Sequence, residues 1–315
     1  ECDWSSDVCS SDLWFNKNMF DEAGIPYPQE GWTWEDFRQT AIKLTHGEGA
    51  DKVYGAMMDV AGGDGDNYWD TIARQTLGAL AYYTSDFTAT TFDTPDMKES
   101  LDFFYKLAME DQCIVLYSDY QALQYYKDPT GMAGLYNGKY AMWIAPVYGC
   151  LYLKSSYGEI PEGTDIGMCD MPTVDGGEAV TTCYTSTASI PANAADPQAS
   201  WELLKYVTLT HAELYAGPKA MHPGYQLKTA EEKTAFNDLI FNGKPGLDYD
   251  MAMSVMARDR ILVSKDNTVR AGQVAINDAI RNYMTLVFTG EMSPADALAN
   301  VKAEGDAAIT MDSMN

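Results

Sequence analysis

The residues best suited to bind a small molecule lie in a loop that follows an apolar segment. Residues 52–60, KVYGAMMDV, have the composition of a β-strand and lead into AGGDGDNYWD. Ligands of open α/β sheets bind at the carboxyl ends of strands, so this loop is a candidate site. Its polar side chains can hydrogen-bond hydroxyl groups, and its rings can stack on an apolar ligand face. The candidates in the loop are Asp66, Asn67, Tyr68 and Trp69.

The same loop could instead serve core packing or a metal ion. Trp69 could begin the buried face of the helix that we expect from about Thr71. Asp64, Asp66 and Asn67 also offer the hard oxygen ligands that calcium prefers. The loop lacks the D-x-D-x-D-G order and the distant glutamate of an EF-hand, so we predict no metal site here.

A second aromatic candidate follows the run LYNGKYAMWIA. This run predicts a helix end, a turn at Gly138 and a strand over residues 139–145. Tyr148 lies just past that strand, where its ring could meet the C–H face of a ligand or pack against the protein. Trp143 alternates with Met142 along the strand and is expected in the core.

The composition limits the possible partners. The chain has 315 residues, with 46 acidic and 21 basic side chains and a formal charge of −25. This charge opposes binding to nucleic acid or to an anionic membrane surface, and it suits neutral or cationic small molecules. The 21 Tyr, 7 Trp and 10 Phe against 3 His are compatible with a ring-stacking groove, although ordinary packing is the commoner use of tyrosine. No apolar run approaches the roughly 18–20 residues of a membrane span.

The cysteines and the catalytic motifs do not indicate an enzyme. The six cysteines include no CxxC pair and no Cys/His spacing typical of zinc, while disulfides and free thiols both stay open. No HExxH, GxSxG, P-loop or GxGxxG motif occurs in the right context. A pair of carboxylates can always be found among 46 acids, so their presence is no evidence for a glycosidase. We therefore predict no catalytic residues and no cofactor.

Strands alternate with capped helices along the chain, which is the α/β pattern. Thr33 and Asp36 form a capping box, with Trp32 and Trp34 expected to pack beside it. Thr94-Pro95 and Ser293-Pro294 begin further helices. Residues 1–13, ECDWSSDVCSSDL, are rich in Ser, Asp and Cys without periodicity. They resemble a translated adapter sequence, so we exclude them from the fold as a non-native scar.

Five segments together resemble family 1 extracellular solute-binding proteins, the sugar-capturing components of ABC importers. They are NKNMFDEAGIPYPQEGWTWEDFRQTAIKLT, LYNGKYAMWIAPVYG, DIGMCDMP, STASIPANAADPQASWELLKYVT and FTGEMSPADALANVKAEGDAAI. They occur in the order typical of that family and span nearly all of residues 14–310. The resemblance implies a periplasmic-binding-protein-like α/β fold of two lobes with a hinge and a cleft between them.

The same resemblance implies an N-terminal truncation, with the first lobe largely missing. Residues 14–182 are expected to form the second lobe, and residues 183–267 a remnant of the first lobe with exposed apolar surface. Residues 268–315 are expected to form C-terminal helices that pack across both lobes.

The resemblance also adds site residues. Tyr148 matches a sugar-stacking tryptophan of the maltodextrin-binding members, and Cys150 stands where some relatives have another aromatic residue, which implies a smaller or differently shaped subsite. Tyr184 lies on the crossing strand that lines the cleft in relatives. An irregular loop contributes Met221, His222 and Tyr225, and Arg270 precedes a long helix where its guanidinium could bind hydroxyl groups.

These observations predict a monomeric receptor that captures a carbohydrate, most simply an oligosaccharide, and delivers it to the permease subunits of an ABC importer. The expected location is extracellular or the cell envelope, with a lipid anchor in a signal region outside this sequence. A peptide or a polyamine is the alternative solute, and a glycoside-acting enzyme is the less favoured one.

Overall fold

The fold is described from a computed structural model of the chain. The structure describes residues 5–58, 60, 68–78, 80–115, 132–153, 160–174, 180–187, 189–214, 222–223, 227–258, 261–264 and 270–312. The strands are β1 Ser5–Asn16, β2 Tyr54–Met57, β3 Tyr140–Pro146, β4 Ile166–Cys169, β5 Val180–Thr187, β6 His222–Pro223 and β7 Ile261–Ser264. The helices are α1 Lys17–Ala23, α2 Trp34–Leu44, α3 Thr71–Leu77, α4 Pro95–Tyr105, α5 Met132–Tyr136, α6 Pro197–Lys205, α7 Ala230–Phe241, α8 Tyr249–Ala257, α9 Gln273–Phe288 and α10 Pro294–Asp312.

The long strand β1 belongs to two sheets. Its second half pairs antiparallel with β3, from Ser11 opposite Pro146 onward, and with β4. Its first half pairs antiparallel with β5, where Ser10 lies opposite Cys183, and with β6. Strand β2 adds in parallel to β3, and β7 adds in parallel to β5. We call β2, β3, β1 and β4 sheet I, and β7, β5, β1 and β6 sheet II.

The helices begin where their caps predict. Thr33 and Asp36 make the reciprocal hydrogen bonds of a capping box at α2, and Thr94 caps α4 ahead of Pro95. Asp196 caps α6 by accepting a hydrogen bond from the Ala199 N–H. Each cap satisfies backbone donors that a helix start would otherwise leave unpaired.

Two apolar clusters cover sheet I. One contains α2, α4, α9 and α10 together with the aromatic rings of Phe15, Phe37 and Phe104. The other lies around Trp14 and Trp143 and includes α7 and α8. A methyl group at Gly55 would collide with the Ala41 carbonyl, which shows how closely α2 packs on β2.

The structure differs from the sequence analysis at the N-terminus. Residues 1–13 were excluded from the fold, yet Ser5–Asn16 is the strand that joins both sheets. Asp12 and Leu13 are fully buried. The reason is long-range pairing: the backbone of β1 bonds to strands far away in sequence, and this outweighs a polar composition with weak strand propensity. That these residues derive from an adapter stays a prediction.

Other elements follow the predictions with shorter bounds. The strand expected at 52–60 covers only Tyr54–Met57. Helix α6 has no buried residue: Leu203 on it is 64% exposed, and Tyr206 and Leu214, which follow it, are 49% and 63% exposed. In the described part of the chain, no helix combines the length and the apolar character needed to cross a membrane.

Candidate functional site

The candidate site lies at one edge of sheet I. Strands β2 and β3 are parallel neighbours, with Met57 opposite Trp143, so their carboxyl ends meet at the same edge. Strand β3 continues to Pro146, which lies opposite Ser11. Next to Ser11, at Ser10, β1 takes up its pairing with sheet II. The edge therefore lies beside the boundary between the two sheets, the position that a cleft between lobes requires.

Tyr148 lies at this edge. A short turn, Val147–Tyr152, follows β3 directly and carries Tyr148 on its backbone; its side chain lies outside what the structure describes. Val147 is 1% exposed and Leu153 is fully buried, so both ends of the turn are anchored in the core. The sequence predicted this placement just past the strand.

Tyr68 and Trp69 end the loop that leaves the neighbouring strand β2. The side chain of Trp69 is fully buried and Tyr68 is 2% exposed, and both belong to the core beside sheet I. Ser100 on α4 donates a 2.7 Å hydrogen bond to the Trp69 carbonyl. This burial favours the alternative in which Trp69 begins the packed face of α3. Direct ligand contact by the pair stays a prediction, and Asp64, Asp66 and Asn67 lie outside the described residues.

A buried ionic network follows Trp69 and was not found from the sequence. Asp70 accepts hydrogen bonds from Arg74 at 2.5 Å and from the Tyr82 hydroxyl at 2.6 Å. The Arg74 guanidinium also lies over the Tyr82 ring, 4.4 Å from its centre. Burial, together with the Asp70 charge, raises the pKa of Tyr82, so the phenol stays a donor. The network holds the start of α3, and the Asp-x-x-x-Arg spacing is its only sequence signal.

Two of the residues predicted from the other lobe, Tyr184 and His222, have their backbone on sheet II. The backbone of Tyr184 is on β5 opposite Cys9, and that of His222 is on β6 opposite Val8. Their side chains, and all of Met221 and Tyr225, lie outside the described residues. Cys9 is two residues from Ser11 along β1, so the Tyr184 backbone lies close to the boundary that Tyr148 adjoins.

Arg270 occupies a different setting. The Arg270 guanidinium stacks on Phe87 at 4.3 Å from the ring centre. The backbone N–H of Arg270 donates a hydrogen bond to the Gln273 side-chain oxygen. Phe87 has a φ of +58°, which is unfavourable for a residue with a side chain. These contacts tie Arg270 to the loop before α4 and to the start of α9, so a hydroxyl-binding role for Arg270 stays a prediction.

The cysteines offer no reactive centre in the described part of the chain. Cys113, Cys150 and Cys169 are free and buried. Burial raises the pKa of the Cys113 and Cys169 thiols to about 12, so both stay protonated near neutral pH. The Cys150 Sγ points toward the Ile240 carbonyl at 3.8 Å, which places it within the core rather than on a cleft wall. The side chain of Cys183 is not described, and a disulfide there stays open.

No cluster of three or more His, Cys, Asp and Glu side chains suited to a metal occurs among the residues that the structure describes. The calcium alternative falls on residues 61–67, which lie outside them. The described part of the site is thus a set of backbone positions and packed rings beside a sheet boundary.

Known structures resemble this chain over almost all of its length. An ABC substrate-binding protein from Listeria monocytogenes, in complex with cycloalternan, matches 99% of this chain with a TM-score of 0.75 and 17% identity; this chain covers 73% of it. A sugar transporter protein from Rhizobium etli in an open conformation matches 97%, with a TM-score of 0.70, 20% identity and 72% coverage of that chain. A maltose/maltodextrin-binding domain from Bdellovibrio bacteriovorus bound to maltotriose matches 97%, with a TM-score of 0.64, 18% identity and 72% coverage.

The family model of bacterial extracellular solute-binding proteins matches residues 8–212. No curated protein sequence matches the chain significantly. The family match covers about two thirds of the chain, so this protein belongs to the bacterial extracellular solute-binding proteins. The α/β fold of periplasmic binding proteins, predicted from the sequence, is confirmed, as is the prediction of a binding protein rather than an enzyme. The family is extracellular or periplasmic.

Proposed function

We propose that this protein captures a carbohydrate, most simply an oligosaccharide, for an ABC importer. One observation carries the proposal: the Tyr148 turn and the loop ending in Tyr68 leave neighbouring parallel strands at the edge where β1 passes between two sheets. An aromatic residue beside a boundary between lobes is well placed to stack on a sugar ring.

The structural neighbours support the choice of ligand class. The proteins from Listeria monocytogenes and Bdellovibrio bacteriovorus hold cycloalternan and maltotriose. A third neighbour is a cyclic maltosyl-maltose binding protein from Arthrobacter globiformis, with a TM-score of 0.68 and 17% identity. These ligands are oligosaccharides, which present both C–H faces for stacking and hydroxyl groups for hydrogen bonds.

In the proposed mechanism, the lobes built on sheets I and II close around the sugar. Tyr148 supplies a stacking ring from the sheet I side. Asp66, Asn67 and Tyr68 supply hydrogen bonds from the adjacent loop, and Trp69, which follows them, packs in the core. Tyr184, His222 and Tyr225 contribute from the sheet II side, and Arg270 binds hydroxyl groups. Closure removes the sugar from water and strengthens each polar contact.

The proposed setting follows from this role. The protein acts as a monomer outside the cytoplasm, held at the cell envelope by a lipid anchor, and passes its sugar to permease subunits. The formal charge of −25 favours one alternative, a cationic solute such as a polyamine, over an anionic one.

Tryptophan fluorescence tests the proposal. Gluco-, xylo- and manno-oligosaccharides are titrated into the protein, and the sugars are then analysed by chromatography. We expect a saturable change with at least one series and unchanged sugar chains afterwards. Shortened products would identify an enzyme. A response to spermidine or a peptide, but to no sugar, would replace the carbohydrate with the alternative solute.

A further inference from the structure

The connection between β4 and β5 carries the chain from sheet I to sheet II beside β1. Strand β4 pairs with residues 13–16 of β1, and β5 pairs with the preceding residues 5–10. Both strands run antiparallel to β1, so β4 ends opposite Leu13 and β5 pairs from Ser10, on the other side of the boundary between the sheets. A change in the angle between the sheets would therefore move the two described flanks of the connection, residues 170–174 and 180–182, relative to each other.

The side chain of Gln75 on α3 holds both flanks of the connection. Its Nε2 donates to the Pro172 carbonyl at 2.7 Å and to the Val180 carbonyl at 2.9 Å. Its Oε1 accepts a 2.8 Å hydrogen bond from Trp34 Nε1. Both amide hydrogens and the amide oxygen are therefore in use. Trp34 is 4% exposed and packs edge-on against Phe104 at 5.3 Å, so Gln75 is itself held in place.

Backbone bonds fix the first flank further. Thr173 N–H donates to the Trp32 carbonyl at 2.8 Å, and Trp34 N–H donates to the Thr173 carbonyl at 3.2 Å. Residues 172–173 are thus tied to the segment that leads into α2, and the Gln75 side chain links that segment and α3 to Val180 by hydrogen bonds.

An ion pair made by Arg258 joins a second pair of segments that lead toward sheet II. Arg258 directly follows α8, in the segment that leads to β7, and its guanidinium pairs with Asp170, which follows β4. Asp170 is 4% exposed and directly follows Cys169, the partner of Leu13 in β1. Asp12, which is fully buried, is the next residue along β1. Two buried carboxylates therefore adjoin on neighbouring segments of the chain, and Arg258 compensates the charge of Asp170.

Helix α3 links this arrangement to the candidate site. It begins at Thr71, directly after Tyr68, Trp69 and Asp70, and Gln75 lies on its second turn. The buried Asp70–Arg74 ion pair keeps the helix start rigid. A displacement of Tyr68–Asp70 at the start of α3 would therefore be transmitted through Gln75 to Pro172 and Val180.

We propose that Gln75 is a positioning residue for solute capture: it couples helix α3 to the two described flanks of the β4–β5 connection and, with Arg258, sets the resting angle between the lobes. The idea goes beyond the proposed ligand, and its test needs no solute. Failure of the sugar titration would leave it standing.

The test is hydrogen exchange on the ligand-free protein carrying Gln75→Glu. This variant keeps an acceptor for Trp34 Nε1 and removes both donors to the connection. We expect amides in residues 170–174 and 180–182 to exchange about tenfold faster, while amides of β3 and α4 stay within about twofold. Gln29→Glu, an exposed glutamine in the same region, controls for the added charge.

Arg258→Met provides the second variant, since it keeps an aliphatic side chain and removes the ion pair. Arg38→Met is its matched control, because Arg38 forms a comparably buried ion pair with Asp111 away from the connection. Fluorescent labels at Lys43 on α2 and Glu202 on α6, introduced as non-natural amino acids, report the spread of distances between the lobes.

We expect Gln75→Glu and Arg258→Met to broaden or shift that distance distribution and the two control variants to leave it unchanged. The proposal is overturned if exchange at the connection is unchanged, or if it rises equally in β3 and α4, which would mean a general loss of stability. An unaltered distance distribution in both test variants would overturn it as well.

Discussion

Substitutions of Trp69 distinguish a structural role of this residue from a ligand-contacting role at the candidate site. Its side chain is fully buried among the rings and aliphatic side chains beside sheet I. Truncation of a buried tryptophan to alanine typically costs about 3–5 kcal/mol, because apolar contacts are lost and a cavity remains. Such a loss is a large part of the roughly 5–15 kcal/mol that stabilises an ordinary domain.

The indole N–H of Trp69 has no hydrogen-bond partner among the described residues. Trp69→Phe therefore sacrifices no such bond, and we expect it to cost only about 1–2 kcal/mol, the scale of a partial loss of apolar volume. Urea unfolding followed by circular dichroism measures both variants. Trp201→Ala on α6, where no residue is buried, is the control and should change stability by less than about 1 kcal/mol.

Sugar affinity, corrected for the folded fraction, completes this experiment. If Trp69 is a packing residue, Trp69→Phe keeps the affinity within about threefold, because the ligand never touches the ring. The reasoning is refuted if Trp69→Ala leaves the unfolding free energy unchanged. It is equally refuted if Trp69→Phe retains its stability and loses sugar binding, since the ring would then have to become exposed to the ligand.

Three further predictions concern binding, pH and two exposed leucines on and after α6. Tyr148→Ala should weaken sugar binding by about 1–3 kcal/mol through loss of a stacking platform, while Tyr148→Trp should keep or increase the affinity. Calorimetric titration of both variants measures these affinities, and full affinity in Tyr148→Ala would contradict a stacking role for Tyr148. Asp248 is partly buried, but its hydrogen bonds from Lys17 and from the Met251 backbone N–H lower the pKa of that carboxyl below its ordinary value, so its stabilising contribution is present above the ordinary aspartate pKa and is lost as pH falls through the lowered value. Asp248→Asn should therefore reduce the unfolding free energy at about pH 7, and this loss should shrink as pH falls through the lowered pKa; an equal loss at every pH would be inconsistent with the ion pair. The exposed Leu203 and Leu214 should bind an apolar-surface dye, and replacing both with Lys should lower its fluorescence by half or more; unchanged fluorescence would place the apolar surface elsewhere.

Local signals predicted much of the fold. The Thr33 capping box and the helix starts at Thr94-Pro95 and Ser293-Pro294 all appear in the structure. These features depend on neighbours within a turn or two of the chain, so their physics is contained in a short segment.

The pairing of strands that are far apart in sequence could not be predicted from such local signals. Strand β1 has a polar sequence, and its place between two sheets depends on partners more than 100 residues away. Strand pairing is decided by such partners more than by intrinsic propensity. The family resemblance supplied the two-lobe expectation, but it did not indicate that Ser5–Asn16 carries the boundary between the sheets.

Only the local features of the candidate site could be predicted, because its packing depends on distant residues. Tyr148 was placed correctly past its strand, because strand ends are visible in the sequence. The burial of Trp69 and the contacts of Gln75 depend on how α3 packs against α2, α4 and the β4–β5 connection. Neither residue has a sequence spacing that reveals those contacts.

Isothermal titration calorimetry with a panel of gluco-, xylo- and manno-oligosaccharides tests the central claim most directly. The account predicts a saturable isotherm with one sugar per protein chain for at least one series, with a dissociation constant below the millimolar range. The heat capacity change should be negative, because ring faces and apolar cleft surface are buried on binding. Absence of binding heat for every sugar at millimolar concentration, at two temperatures, would contradict the account.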